Sequence, residues 1–113
     1  MRIAVTGASG LIGGGLVPHL RAQGHDVLRM VRRGSGAPDE VTWDPMGGTV
    51  DVAGLLGIDA VIHLAGAGVG DHRWTDAYKA TIRDSRSVGT ATLATALASM
   101  DRPPWVLVSG SAI

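Results

Sequence analysis

Directly after a short apolar run, the sequence reads Thr6-Gly7-Ala8-Ser9-Gly10-Leu11-Ile12-Gly13. The apolar run predicts a buried strand, and the residues from Leu11 to Ala22 predict a helix with apolar side chains along one side. Gly7 permits a tight turn off the strand, Gly10 lets a pyrophosphate approach the backbone, and Gly13 lets the helix pack close on the sheet. This G-x-x-G-x-x-G spacing between strand and helix predicts a binding site for an adenine dinucleotide.

The start of this helix supplies the phosphate contacts that such a site needs. Its first N–H groups lie at the positive end of the helix dipole. We therefore expect the N–H groups of Gly10, Leu11 and Ile12 to face the phosphates, in a loop that includes Ser9. No Gly-Lys-Ser/Thr follows, which excludes a P-loop. A plain helix-capping turn that binds nothing is the alternative interpretation.

Strands and helices alternate along the rest of the chain. Further strands are predicted over Val27 to Val31, Glu40 to Trp43, Ala60 to Ala65 and Trp105 to Val108. A short helix is expected over Val52 to Leu56, and a long one from Thr75 to about Met100. Because the strands are apolar on both faces, the pattern predicts an α/β fold, namely a Rossmann-type doubly wound parallel sheet with strand order 3-2-1-4-5.

The two ends of this arrangement carry further expectations. The last apolar strand runs to Ile113 without a polar tail, so the sheet is expected to be C-terminally incomplete. Residues 1–113 would then be one truncated dinucleotide-binding domain. Gly24 is predicted to end the first helix. The long helix would bury Tyr78, Ile82, Ser85, Gly89, Leu93, Leu97 and Met100, and Gly89 serves either core packing or a homodimer contact.

The end of the second strand bears on the choice of cofactor. NAD binders usually place Asp or Glu about 20 residues past the first glycines, where it bonds the ribose hydroxyls. Between Leu28 and Arg33 there is no carboxylate, and the stretch ends in Arg32 and Arg33. Arginine suits a ribose 2′-phosphate through charge-assisted hydrogen bonds. The sequence therefore predicts NADP(H) in preference to NAD(H); a solvated loop is the alternative role for both arginines.

Composition argues against several other classes of protein. Ten basic and ten acidic residues give a formal net charge of zero, which does not favour a nucleic acid or an acidic membrane as partner. No cysteine is present, which fits a reducing compartment, and no apolar run approaches the roughly 18 residues of a membrane span. A cytoplasmic location is expected. The four histidines have no ligand-like spacing, so no metal site is expected, and His63 would serve the fit at a strand end.

Several stretches together resemble the extended and atypical short-chain dehydrogenase/reductases. The glycine spacing and the stretch from Asp59 to Gly66 carry this likeness. A narrower set is similar to the epimerase-family proteins of the sugar-nucleotide-epimerase-like group, the NAD-dependent epimerase/dehydratases. This set comprises Trp43-Asp44-Pro45, Arg73-Trp74-Thr75, Ser85-Arg86, Gly89-Thr90 and Ser109-Gly110-Ser111-Ala112. The resemblance covers the whole chain.

The resemblance implies roles for residues that follow the later strands. Leu64, Ala65 and Gly66 would border the adenosine and its ribose. Ser109 or Ser111 would lie beside the nicotinamide as the catalytic serine, although Ser111 could equally cap the next turn.

The superfamily also uses a Tyr-x-x-x-Lys pair as its acid/base machinery. The only tyrosine and lysine, Tyr78 and Lys79, are adjacent and cannot form that pair. The pair is therefore expected beyond Ile113, and this chain is expected to be inactive alone.

Two hypotheses for function follow. The first is the NADP(H)-binding part of an epimerase/dehydratase-like enzyme, which performs hydride transfer on an unidentified small-molecule substrate when intact. The second is a non-catalytic dinucleotide-binding sensor or interaction module. A structural α/β domain without nucleotide would require the glycine loop to be a coincidence.

Overall fold

A computed structural model describes residues 1–8, 10–64 and 88–109, with the backbone but not the side chains of Leu11 and Ser109. The described strands are β1 (Arg2–Thr6), β2 (Asp26–Val31), β3 (Glu40–Asp44), β4 (Thr49–Val50), β5 (Ala60–His63) and β6 (Val106–Ser109). Helix α1 covers Leu11–Ala22, a 3-10 helix covers Val52–Leu55, and α2 is the helical segment 88–98.

The strands form one sheet in the order β4-β3-β2-β1-β5-β6. All neighbours pair in parallel except β3 and β4. The predicted order 3-2-1-4-5 is therefore confirmed for the five longer strands.

The sequence-based expectation missed β4, which pairs antiparallel with the end of β3. A strand of two residues is too short to show periodicity, and its pairing depends on the turn that precedes it. In that turn Gly48 has φ +78° and donates its N–H to the Asp44 carbonyl at 3.0 Å.

Both faces of the sheet are covered. Ile3 and Val5 of β1 pack with Val17 of α1 on one face. Ala4 lies on the other face, where the buried side chains are Leu28, Met30, Val41, Trp43, Leu55, Ile58, Val61, Leu93 and Leu97. Successive residues of a strand point to opposite faces, so an uninterrupted apolar strand supplies two cores at once.

The boundaries that the structure describes agree with the prediction to within one or two residues; the predicted start of the long helix at Thr75 lies outside the described residues. Helix α1 has the predicted bounds, and Gly24 follows it with φ +89°, the left-handed conformation that favours glycine. The Gly24 and His25 N–H groups donate to carbonyls of the last helical turn, which completes a Schellman cap. Strand β5 ends at His63 rather than Ala65, and β6 begins at Val106 rather than Trp105.

Helix α2 packs into the second core through the predicted side chains. Leu93 and Leu97 are buried, and Gly89 lies against Pro45, where an added Cβ would be 3.4 Å from the proline Cβ. Thr92 donates its hydroxyl to the Pro45 carbonyl at 2.8 Å. Gly89 is therefore buried against Pro45 within the chain. The rest of the predicted stripe, Tyr78, Ile82 and Ser85, lies outside the described residues.

No helix in the described part of the chain has both the length and the apolar character needed to cross a membrane.

An ion cluster ties α1 to the start of β3. Arg29 holds the Asp39 carboxylate with Nε at 2.8 Å and a second nitrogen at 3.0 Å, and Arg21 of α1 contacts the same carboxylate. These hydrogen bonds, first from Arg29 and then from Arg21, hold the pKa of the Asp39 carboxyl well below its usual range. The cluster therefore stabilises the fold only while Asp39 is ionised.

The free energy of unfolding is expected to depend on pH through the Asp39 carboxyl. Because its pKa is lowered by folding, the contribution is complete above the ordinary carboxyl pKa of about 4 and is lost as the pH falls below that value. Asp39→Asn should cost roughly 1 kcal/mol at pH 7, the scale of a well-aligned but partly exposed ion pair. Urea unfolding at pH 7, 5, 4 and 3 should show this difference shrinking below about pH 4. Asp101→Asn, at an exposed site, is the control, and a difference for Asp39→Asn that is as large at pH 3 as at pH 7 would contradict the assignment.

Candidate functional site

The carboxyl ends of the central strands meet at one edge of the sheet. Thr6 pairs with Met30 on one side and with His63 on the other, and His63 pairs with Ser109. The chain leaves β1 towards β2 and later returns to β5 on the opposite side of β1. In open α/β sheets ligands bind in the crevice at such a switch point, so this edge is the candidate site.

The glycine loop makes a tight turn between β1 and α1. Gly7 has φ +68°, and its carbonyl accepts a hydrogen bond from the Gly10 N–H at 3.0 Å. A Cβ on Gly13 would collide with the Gly7 carbonyl oxygen and lie 2.7 Å from the Ala8 Cα. The expectation that Gly13 permits packing on the sheet is thus corrected: the close neighbour is the backbone of the turn itself.

Helix α1 begins at this loop without a side-chain cap. Its N-cap is Gly10, which has no side chain to bond the first N–H groups, and the first turn contains no acidic residue. Those N–H groups have no acceptor within the helix, and they carry its positive partial charge. Ile12, one of the predicted phosphate contacts, has an exposed side chain. The predicted Ser9 lies outside the described residues.

Arg32 and Arg33 follow β2 at the same edge and are both exposed. The register of β1 and β2 ends with Thr6 beside Met30, so both arginines follow the strand next to the one that leads into the glycine loop. Neither arginine has a hydrogen bond or ion pair within the described residues, whereas Arg29 is held by Asp39 and Glu40. Within the described part of the chain, no carboxylate neutralises either guanidinium group.

The loop that carries these arginines is closed by Glu40, a residue that the sequence-based reasoning did not single out. Its Oε1 accepts hydrogen bonds from the Ser35 N–H at 2.7 Å, the Ser35 hydroxyl at 3.0 Å and the Ala37 N–H at 3.2 Å. These bonds, first the one from the Ser35 N–H, lower the pKa of the Glu40 carboxyl. No spacing in the sequence marks such a contact, because it depends on how the loop folds back.

A buried polar chain links the strand ends beneath the site. His63, 2% exposed, has Nδ1 2.7 Å from the Thr6 hydroxyl and Nε2 3.1 Å from the Thr90 hydroxyl of α2. The Leu64 N–H donates to Thr6 Oγ1 at 2.9 Å, and Trp43 meets His63 edge to face. His63 is thus buried and hydrogen-bonded at the end of β5. The contact with Thr90 required the tertiary structure to be seen.

The remaining predicted residues divide between the described and undescribed parts of the chain. Leu64 directly follows β5 at the edge that forms the candidate site. Ser109 ends the neighbouring strand β6, where it pairs with His63. Ala65, Gly66 and Ser111 lie outside the described residues.

Comparison with known proteins identifies the family. The model of the NAD-dependent epimerase/dehydratase family matches residues 3–113. The chain belongs to this family. The likeness inferred from the glycine spacing and the tryptophan-containing motifs is confirmed.

Curated epimerase family proteins match nearly the whole chain. A relative from Mycobacterium tuberculosis (strain CDC 1551 / Oshkosh) is 40% identical over 111 residues, which are 98% of this chain and 36% of the relative. The human epimerase family protein SDR39U1 is 37% identical over 116 residues, covering 99% of this chain and 38% of the relative. The chain thus spans a little over a third of the length of these relatives.

Solved structures of epimerases share the fold. The crystal structure of human SDR39U1 (isoform 2) with NADPH matches with a TM-score of 0.83 and 31% identity, over 100% of this chain and 37% of that one. A nucleoside-diphosphate sugar epimerase from Corynebacterium glutamicum matches with a TM-score of 0.78 and 33% identity, over 99% and 22% of the two chains. The Rossmann-type sheet of an epimerase/dehydratase is thereby confirmed.

Proposed function

We propose that this epimerase/dehydratase-family chain binds NADP(H), in preference to NAD(H), at the carboxyl edge of its sheet. The observation that carries the proposal is that a helix N-terminus with a glycine N-cap and two arginines without an ion pair among the described residues lie at that one edge. Both are positively charged donors, and neither is neutralised by a carboxylate within the described residues. This donor set fits a ligand with two separate phosphate groups, as in NADP(H).

Each part of the cofactor has a proposed partner. The N–H groups of Leu11 and Ile12 would hold the pyrophosphate, within the loop that includes Ser9 and runs from Gly7 to Gly13. The Gly10 N–H, which the sequence also assigned to the phosphates, instead donates to the Gly7 carbonyl and shapes the turn. Arg32 and Arg33 would hold the ribose 2′-phosphate. Leu64, Ala65 and Gly66 would border the adenosine. The presence of NADPH in the structure of human SDR39U1 supports this assignment.

We further propose that residues 1–113 are the cofactor-binding part of an enzyme that acts on a small-molecule substrate. When bound, NADP(H) supplies hydride transfer, and the role of this chain is to bind and orient it. Ser109 and Ser111 would stand at the nicotinamide end, since Ser109 ends β6 beside His63. The epimerases among the relatives support this reaction class.

Calorimetric titration of the protein with NADPH, and then with NADH at the same salt concentration, tests the proposal. NADPH is expected to bind about tenfold or more tightly than NADH, because only NADPH presents a 2′-phosphate to the arginines. A folded sample, verified by circular dichroism, that binds neither cofactor would overturn the proposal. Equal affinities would retain the dinucleotide site and overturn the preference.

A further inference from the structure

We propose that Glu40 is the positioning residue for the arginine-bearing loop, which comprises residues 32–39. By holding this loop in one shape, Glu40 would set the discrimination between NADPH and NADH without touching either cofactor. The inference rests on the proposed function, because it assigns a determinant of specificity to that same site.

The carboxylate of Glu40 contacts both the loop and Arg29. Its Oε1 receives all three of the hydrogen bonds described above, two from Ser35 and one from Ala37. Its Oε2 lies 3.5 Å from a guanidinium nitrogen of Arg29, and the side chain is only 8% exposed. The carboxylate therefore ties two positions of the loop to the first residue of β3, beside the backbone hydrogen bond from the Glu40 N–H to the Ala37 carbonyl at 3.3 Å.

The loop connects two neighbouring strands without a helix. Arg29 pairs with Glu40 and Val31 with Thr42, so the chain must turn back immediately after β2. Gly34 lies over β3, where an added Cβ would be 3.3 Å from Thr42 Cγ2. The anchored Ser35 is only two residues from Arg33. The bonds to Glu40 thus restrict the backbone close to both arginines.

The consequence for binding differs between the two cofactors. An arginine whose backbone is already ordered loses less conformational freedom when it binds a phosphate. NADH has no 2′-phosphate, so it gains nothing from this order. A residue that only stabilised the fold would instead affect both cofactors alike.

Two substitutions at Glu40 and one control test the inference by calorimetric titration. Glu40→Ala should weaken NADPH binding roughly tenfold and change NADH binding less than about twofold, because three hydrogen bonds to one carboxylate are removed. Glu40→Gln keeps the length and the Oε1 acceptor, so it should recover most of the loss. Asp44→Ala removes a comparable carboxylate bond, to the Gly47 N–H at 3.0 Å, from the turn at the other end of β3 and should change neither affinity.

The outcomes separate this inference from the proposed function. If Glu40→Ala weakens the binding of both cofactors equally, or of neither, the positioning role is wrong while the NADP(H) site stands. If Glu40→Gln is as poor as Glu40→Ala, the hydrogen bonds to the loop are not what matters, and the inference is also wrong. A wild-type protein without preference for NADPH would overturn this inference and the proposed preference together, and would leave the dinucleotide site itself standing.

Discussion

Replacing Arg32 and Arg33 together with alanine is expected to raise the Kd for NADPH about a hundredfold and to leave the Kd for NADH within about twofold. Each charge-assisted hydrogen bond to a phosphate contributes about 1.5–3 kcal/mol, and both arginines are exposed, so the lower end of that range applies to each. Two such contributions give about 3 kcal/mol. NADH lacks the group that these side chains would bind and should be unaffected.

The control for this double variant is Arg102→Ala. Arg102 is exposed and precedes β6, so it lies at the amino ends of the strands, opposite the candidate site. Its replacement removes a positive charge far from that site. Affinities measured at two salt concentrations add a second check, because screening should weaken NADPH binding more than NADH binding in the wild type only. An equal loss for both cofactors would show that the arginines act on the whole loop or the fold instead of on the 2′-phosphate.

Gly13→Ala is expected to abolish the binding of both cofactors and to lower the free energy of unfolding by about 3 kcal/mol. The added Cβ would meet backbone atoms of Gly7 and Ala8, which cannot rotate away as a side chain could. Either α1 moves from the turn or the turn opens, and each movement displaces the N–H groups proposed to hold the pyrophosphate. Since NADPH and NADH share the pyrophosphate, both should be lost.

The neighbouring glycine provides a matched control. A Cβ on Gly14 would have no atom within 4 Å, so Gly14→Ala should leave binding intact and stabilise α1 by about 0.5–1 kcal/mol through helix propensity. Urea unfolding and titration of the two variants give the comparison. Wild-type affinity in a folded Gly13→Ala protein would mean that this close approach does not shape the site.

The fold was largely predictable because its signals are local. The apolar strands, the glycine turn and the Gly24 helix end each depend on residues adjacent in sequence, and the structure confirms them. Strand β4 was not predictable, since two residues carry no period. The neighbour of Gly13 was misjudged for a related reason: the glycine spacing predicts a close approach but not which backbone approaches.

Part of the candidate site could likewise be predicted from the sequence, and part required the tertiary structure. The sequence alone indicated the glycine loop, the absence of an acidic residue after β2 and the two arginines. Glycine has unusual backbone freedom and arginine always carries a charge, so their roles can be inferred without knowing their neighbours in the fold. Tertiary structure was required to reveal Glu40 inside the arginine-bearing loop and Thr90 bonded to His63. Glutamate and threonine occur on any surface, and their roles follow only from which donors and acceptors the folded chain brings within 3 Å or so of them.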